Sequence, residues 1–462
     1  MGIADLLRRA RALERATRPE SPELRAALDR RWQELPEHVR TPAQTLGRRS
    51  CGCEGTHGVF PRCDLACTPC YHSREANRVR VDGAHTLAEV DAQMRMLRAH
   101  RGPGQHAQLI GGEVTLLSPE EHAQTLLAMR RHERKPMSFS HGDFDYEYLE
   151  ALALGPDGRP RFDHLAFAGH FDRLMFGRRG LRRPRSEAEL NPYRRRFCEH
   201  FLRLQREHGV GHYLAHNMTV TPRNLDEVAQ MIRDCHDYGY RMFSFQPAAF
   251  VGNQARWKDD YHELSDEHVW AQIEAGAGCR LSARAWDVGD PRCNTVAYAG
   301  YVGERCLPFV DDRDPRDLRA RDAFYAAFGG MDFEGPPALR AARLVRALAR
   351  RPRFLPLAAA WARRFVRRAG GWRAVRRHGV RPVTFVMHSF MDARVVRPAW
   401  ELMQAGRTAE DPEVRAAQER LSACFYTMGH PETGELVPAC VQHSVLDPLE
   451  NERLVRLLPL TR

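Results

Sequence analysis

The sequence predicts an α/β protein built on a parallel sheet that curls into a full or partial barrel. Three observations carry that expectation. From about residue 58, short apolar runs alternate six times with helix-length amphipathic stretches. Runs such as AQLIG, HLAFAG and MFSFQP are apolar on consecutive residues, which suits strands buried on both faces. Six β–α units in succession require right-handed crossovers, and these curl the sheet. Strands are expected at 58–62, 107–112, 137–141, 164–169, 212–220 and 242–248. Helices are expected at 86–100, 118–132, 145–153, 186–208, 224–238 and 265–276. In such barrels the chemistry sits on loops at the C-terminal ends of the strands. The rest of the chain divides into a helical N-terminal extension (1–50), the barrel (51–280), an irregular Gly/Pro/Asp-rich connector (281–336), a basic amphipathic segment (337–381) and a small C-terminal α+β unit (382–462).

A chain of 462 residues and 52.9 kDa suggests two or three units unless a barrel absorbs more. With 43% apolar and 28% charged residues it can bury a large core, which excludes wholesale disorder. No apolar run approaches the roughly 20 residues of a membrane span. The opening MGIADLLRRARALER lacks an apolar core and a cleavage site, so no secretory signal is expected and the protein should be cytoplasmic. Twelve cysteines in a reducing compartment are unlikely disulfides. They read instead as metal ligands, redox groups or buried thiols.

The net charge of +11 is concentrated. Residues 340–381 hold fourteen arginines and no carboxylate, so the remainder is close to neutral. Arg340, Arg343, Arg346, Arg350 and Arg353 recur every three or four residues among Leu344, Val345 and Leu348. Leu357, Trp361 and Phe365 then form an i, i+4 stripe. The pattern predicts two basic amphipathic helices broken near Pro352 and Pro356. A solvated face packed on the domain is the plain reading. An anionic membrane surface comes next, which would place the protein peripherally at a membrane. Nucleic acid is not expected, because aromatic interleaving and a binding module are both missing.

The specific signal is CDLACTPCY, where Cys63, Cys67 and Cys70 are spaced x3 and x2. Three thiolates on one tight loop suit a cubane iron–sulfur cluster with one iron open to an added ligand. Zinc is the rival, with His72 as a fourth donor, and the triad alone leaves it open. One β–α unit later, QLIGGEVTL places Gly111, Gly112 and Glu113 at a strand end. Glycine there permits close backbone approach to a ligand, and Glu113 supplies a carboxylate at the barrel mouth. No GxGxxG follows a strand, so dinucleotide binding is not indicated.

With these two motifs in the right order, residues 55–250 resemble the radical S-adenosylmethionine (SAM) superfamily. The resemblance implies a partial (β/α)6 TIM-like barrel, and a 4Fe–4S cluster on Cys63, Cys67 and Cys70 with aromatic Tyr71 beside it. It implies SAM held by Gly111, Gly112 and Glu113, and a reductant of the flavodoxin or ferredoxin type. Cleavage of SAM would yield a 5′-deoxyadenosyl radical that abstracts hydrogen. His170 at the fourth strand end, Asn217 in HNMTVTPRNL and Gln246 in FSFQP resemble further cofactor-binding positions. His141 and Asp143 end the third strand, and Thr219 lies beside Asn217.

Nine cysteines remain. Cys198 and Cys235 fall in predicted helices and read as core. The four-cysteine run of peptide-modifying members is absent. TFVMHSFMDA, then Cys424, then ETGELVPAC ending at Cys440, is similar to the tail of the tetraether-lipid-synthase-like branch. That likeness implies an auxiliary 4Fe–4S cluster, with Cys293, Cys424 and Cys440 as candidate ligands, and a small-molecule or lipid substrate. The paired CxxC motifs of that branch are missing at the N-terminus, where only Cys51-Gly-Cys53 stands beside Cys279 and Cys306 further on. The alternatives are a radical SAM peptide maturase and, from another class, a zinc-stabilised scaffold or nucleic-acid-binding protein.

Overall fold

A computed structural model describes residues 12–70, 72, 74–251, 261, 264–333 and 336–460. Its strands are β1 (Cys53–Gly55), β2 (Ala66–Cys67), β3 (His106–Leu109), β4 (Lys135–Ser140), β5 (His164–His170), β6 (Met175–Phe176), β7 (Gly211–Val220), β8 (Met242–Pro247), β9 (Asn294–Val302), β10 (Arg305–Pro308), β11 (Arg381–His388), β12 (Tyr426–His430) and β13 (Glu435–Pro438). All but β2 and β6 join one sheet in the order β10-β9-β11-β8-β7-β5-β4-β3-β1-β12-β13. From β11 to β12 through the middle of that order every pairing is parallel. The outer strands β10, β9 and β13 pair antiparallel.

Helix α1 (Pro22–Glu34) belongs to the N-terminal extension. The crossovers are α2 (Gly83–Arg101), α3 (Pro119–Arg131), α4 (Tyr146–Ala153), α5 (Asn191–His208) and α6 (Val228–Cys235), followed by α7 (Asp266–Ala277). Their starts are locally encoded. Asp82 caps α2 through the His85 amide, and Ser118 with Glu121 forms a capping box on α3. The core between sheet and helices is built on strand residues such as Leu109, Phe167, Leu214, Phe243 and Phe385, all fully buried.

The sheet is curled. Phe425, just before β12, packs with Met242 of β8, Val296 of β9 and Val386 of β11, although these strands lie toward opposite ends of the strand order. The N-terminal extension seals this closure. Gln44, with no exposed surface, bonds Val39 and Gly289, while Leu35, Val39 and Leu46 pack on Ala423 and Phe425.

Three expectations need correction. Residues 58–62 are not a strand: the first strand is β1, five residues earlier. Gly58 takes a left-handed φ of 64° and Pro61 has no amide to donate, so the segment leaves ladder geometry. The connector 281–336 is not irregular, since it carries the hairpin β9–β10 and helix α8 (Pro315–Phe328). Strands β11 and β12 of the C-terminal part extend the barrel sheet itself. No described helix is long and apolar enough to cross a membrane.

The C-terminal part is also tied to the barrel electrostatically. His57 Nδ1 lies 2.9 Å from Glu450 Oε1 and Nε2 lies 3.0 Å from the Gly429 carbonyl, so both ring nitrogens face acceptors. Burial pulls the His57 pKa down, but Glu450 and the Gly429 carbonyl outweigh it and the net shift is upward. His430, stacked on His57 at 3.9 Å, is shifted downward by its own burial and by His57. A raised histidine pKa stabilises fully below about pH 6.5 and loses that contribution as pH rises through the folded value. Thermal denaturation should therefore show Glu450→Gln most destabilised relative to wild type near pH 6. The gap should narrow toward pH 9, and a pH-independent gap would refute the charged pair.

Candidate functional site

The C-terminal ends of the parallel strands open on one cavity of about 340 Å³. The cysteine loop reaches it through local pairing. β2, which contains Cys67, pairs antiparallel with β6, and Cys63, Cys67 and Cys70 all line the cavity. Loop and strand end are clamped backbone to backbone: Gly112 N donates to Phe60 O at 2.5 Å and Glu113 N to Arg62 O at 2.8 Å. A Cβ on Gly112 would stand 1.9 Å from Arg62 O, and one on Gly111 would stand 2.7 Å from the Phe60 ring. The close approach these glycines permit includes the segment that leads into the cysteine loop.

Glu113 lines the same cavity. Its carboxylate is buried and accepts from Thr115 N and Oγ1, Ser140 Oγ and His141 N. Three of these donors meet Oε1 and one meets Oε2, so the carboxylate pins the ends of β3 and β4. His141 in turn bonds Asp64 at 2.8 Å. Burial would lower the His141 pKa, but Glu113 and Asp64 outweigh it and raise it.

His170, Asn217 and Gln246 line the same cavity. His170 Nε2 lies 2.7 Å from buried Asp172, which also accepts from Leu174 N. Gln246 donates to Ser244 Oγ at 2.8 Å, which turns its carbonyl oxygen away from that bond. Tyr71 lies outside the described residues.

Burial pushes the Cys63 thiol up to about 12, with Glu113 adding to it, so a metal must displace its proton on binding. The sulfurs of Cys63, Cys67 and Cys70 form no group lying mutually within 4.8 Å among the described residues. Cys63, Asp64 and His141 do offer ligand atoms within 4.8 Å of one another. Beside the loop, Arg178 is 1% exposed and its guanidinium finds no hydrogen-bond acceptor, stacking only on Phe171 and Tyr193. Burial lowers its pKa, while the charges of Asp143, Asp172 and Cys67 act in the opposite sense. A buried, unbonded cation next to Cys67 fits a negatively charged thiolate cluster.

A second thiol group faces the cavity from the other side. Cys293 precedes β9, Cys424 precedes β12 and Cys440 follows β13, and all three line it. Burial raises the Cys440 thiol to about 12, with the charges of Cys424 and Cys293 acting in the same sense. Arg420 Nε donates to Cys293 Sγ at 3.2 Å and its Nη2 to Ser389 O at 2.7 Å. Arg31 Nη2 of α1 holds Cys424 O at 2.7 Å. The remaining cysteines stand elsewhere: Cys51, Cys53, Cys198 and Cys235 are buried away from the cavity, and Cys279 and Cys306 neighbour each other.

His388 was not singled out by sequence reasoning, although it ends β11 inside the quoted tail segment. Asn294 Nδ2 donates to Val288 O, which orients its Oδ1 toward His388 Nδ1 at 2.6 Å. Nδ1 therefore carries the proton, and Nε2 keeps a lone pair. Burial drives the pKa to about 4, so the ring stays neutral. Arg420 was missed as well, because a single arginine is no signal in a chain with 70 lysines and arginines.

No family model and no curated protein matches this chain. Among solved structures, SuiB of Streptococcus suis bound to precursor peptide SuiA matches at 15% identity and TM-score 0.33, over 45% of this chain and 42% of that one. Native anSMEcpe with bound AdoMet matches at 14% identity and TM-score 0.30, over 49% and 58%. The complex of anSMEcpe with AdoMet and the Kp18Cys peptide matches at 15% and 0.32, over 49% and 59%. The chain thus spans about half the length of the structures it matches.

Gly112→Ala should drive the loop off the strand end. Iron bound after anaerobic reconstitution should fall by about the content of one cluster, while circular dichroism stays near wild type. Arg31→Met should loosen the Cys424 loop and speed alkylation of Cys424, leaving alkylation of Cys63 unchanged.

Proposed function

We propose that this protein is a radical SAM enzyme with two iron–sulfur sites on one cavity and a hydrophobic substrate. The carrying observation is that the cysteine loop, the Gly111–Glu113 strand end and the polar strand ends His170, Asn217 and Gln246 converge on a single cavity. The three thiols on one loop and the buried, unbonded Arg178 beside them favour a 4Fe–4S cluster over zinc. When bound, that cluster supplies the electron that cleaves SAM to methionine and a hydrogen-abstracting 5′-deoxyadenosyl radical.

The protein's own residues hold and shield. The Gly111–Glu113 segment, whose three residues all line the cavity, is placed to meet the methionine amino group. His170 and the amides of Asn217 and Gln246 offer polar contacts to the rest of SAM. The same cavity is also walled by the apolar side chains of Ile110, Phe139, Met242, Phe390, Met391 and Phe425. Such a wall excludes water from a reactive intermediate and accepts a hydrocarbon chain, which supports a lipid or fatty-acyl substrate. Cys293, Cys424 and Cys440, with the Nε2 lone pair of His388 nearby in the lining, support an auxiliary cluster.

The test is anaerobic formation of 5′-deoxyadenosine from SAM and dithionite. Wild type should produce it, Cys63→Ala should lose it by at least about a hundredfold, and added fatty-acyl lipid should accelerate it. No 5′-deoxyadenosine from iron-loaded wild type refutes the radical reading. A rate indifferent to lipid refutes the substrate class alone.

A further inference from the structure

Helices α9 (Pro337–Arg350) and α10 (Phe354–Arg368) pack on α8, and α11 (Trp372–His378) leads on into β11. Trp361 Nε1 donates to Phe309 O at 2.6 Å, and Phe365 is buried against Phe309. Four arginines of these helices turn inward. Arg343 pairs with Asp332, Arg346 with Glu14, and Arg364 and Arg368 with buried Asp317. On α9 Ala347 and Leu348 pack inward against Phe328 and Met331, while Leu344 and Val345 face outward, 41% and 64% exposed.

The outward surface continues along the segment. Leu355 (52% exposed), Leu357 (36%), Trp372 (67%) and Val380 (37%) also face solvent. Nine exposed arginines lie among them, including Arg340, Arg363, Arg367, Arg373, Arg376 and Arg377, and none has an ion pair among the described residues. Residues 340–381 contain no carboxylate to neutralise them. A solvated helical face would instead mix both signs of charge and turn its leucines inward.

We propose that residues 337–380 dock the protein on an anionic phospholipid bilayer, lying in the plane of its surface. Charge complementarity selects the partner. Nine uncompensated arginines match anionic headgroups, while Leu344, Val345, Leu355 and Trp372 have the size and exposure to enter the headgroup–acyl boundary. A nucleic acid would satisfy the arginines but leave that apolar set in water. None of these residues lines the cavity, so the docking surface stands independently of the cavity's chemistry and of the substrate reading.

The experiment is flotation of the full-length protein with phosphatidylcholine vesicles, plain or carrying about 30% phosphatidylglycerol. Wild type should float with the anionic vesicles only, and about 1 M salt should release most of it. Arg363→Gln/Arg367→Gln/Arg373→Gln should weaken binding about a hundredfold, at roughly fivefold per arginine. Leu344→Ser/Val345→Ser should weaken it while leaving circular dichroism unchanged, because these side chains are exposed. Flotation with neither vesicle, equal flotation with both, or salt-sensitive retention on duplex DNA without flotation would each overturn the proposal.

Discussion

Two backbone hydrogen bonds, from Gly112 and Glu113 to the carbonyls of Phe60 and Arg62, decide where the cysteine loop stands. They require a residue without a side chain at 112, since the space a Cβ would need is filled by the Arg62 carbonyl. They also require the end of β3 to be rigid, which the buried Glu113 carboxylate provides by tying it to Ser140 and His141 of the neighbouring strand end. The rest of the site is registered against that clamp. β2 is held by β6, β6 follows β5, and β5 delivers His170 to the same cavity.

The second constraint is the curl of the sheet. Cys293 and Cys424 are far apart in sequence and belong to strands near opposite ends of the strand order, yet both reach the cavity. Phe425 packed against Met242, Val296 and Val386 closes that distance. The N-terminal extension locks it from outside, through Gln44 on Gly289 and Arg31 on the Cys424 carbonyl. A segment that looks peripheral in the sequence thus holds one of the thiol-bearing loops.

How much of this is legible in the sequence depends on range. Strands at 164–170, 211–220 and 242–247 and the helices between them are readable, because double-sided burial leaves unbroken apolar runs. The triad and Gly-Gly-Glu are readable because their spacing is local. The strand expected at 58–62 misled because VFP is apolar there to pack, while Phe60 and Arg62 accept bonds from Gly112 and Glu113 without joining a ladder. β9 was hidden because NTVAYAGYV mixes small residues with aromatics inside a Gly/Pro/Asp-rich stretch. Pairing of β11 with β8 and of β12 with β1 is non-local, and no local pattern encodes it. Cofactor-facing details such as the His388 tautomer depend on Asn294 and Val288, partners that only the fold brings together.

Arginine links these layers. Arg178 lies by the Cys63 loop, Arg420 touches Cys293, and Arg31 holds the Cys424 loop. Two thiol groups, each accompanied by a buried or half-buried cation, on one cavity are the arrangement expected of two anionic clusters. The most direct measurement is iron and acid-labile sulfide per chain after anaerobic reconstitution, for wild type and two triple variants. One replaces Cys63, Cys67 and Cys70 by alanine, the other Cys293, Cys424 and Cys440. The account predicts about eight irons in wild type and about four in each variant. Zinc in place of iron, or wild type with four irons unaffected by the second triple variant, would contradict it.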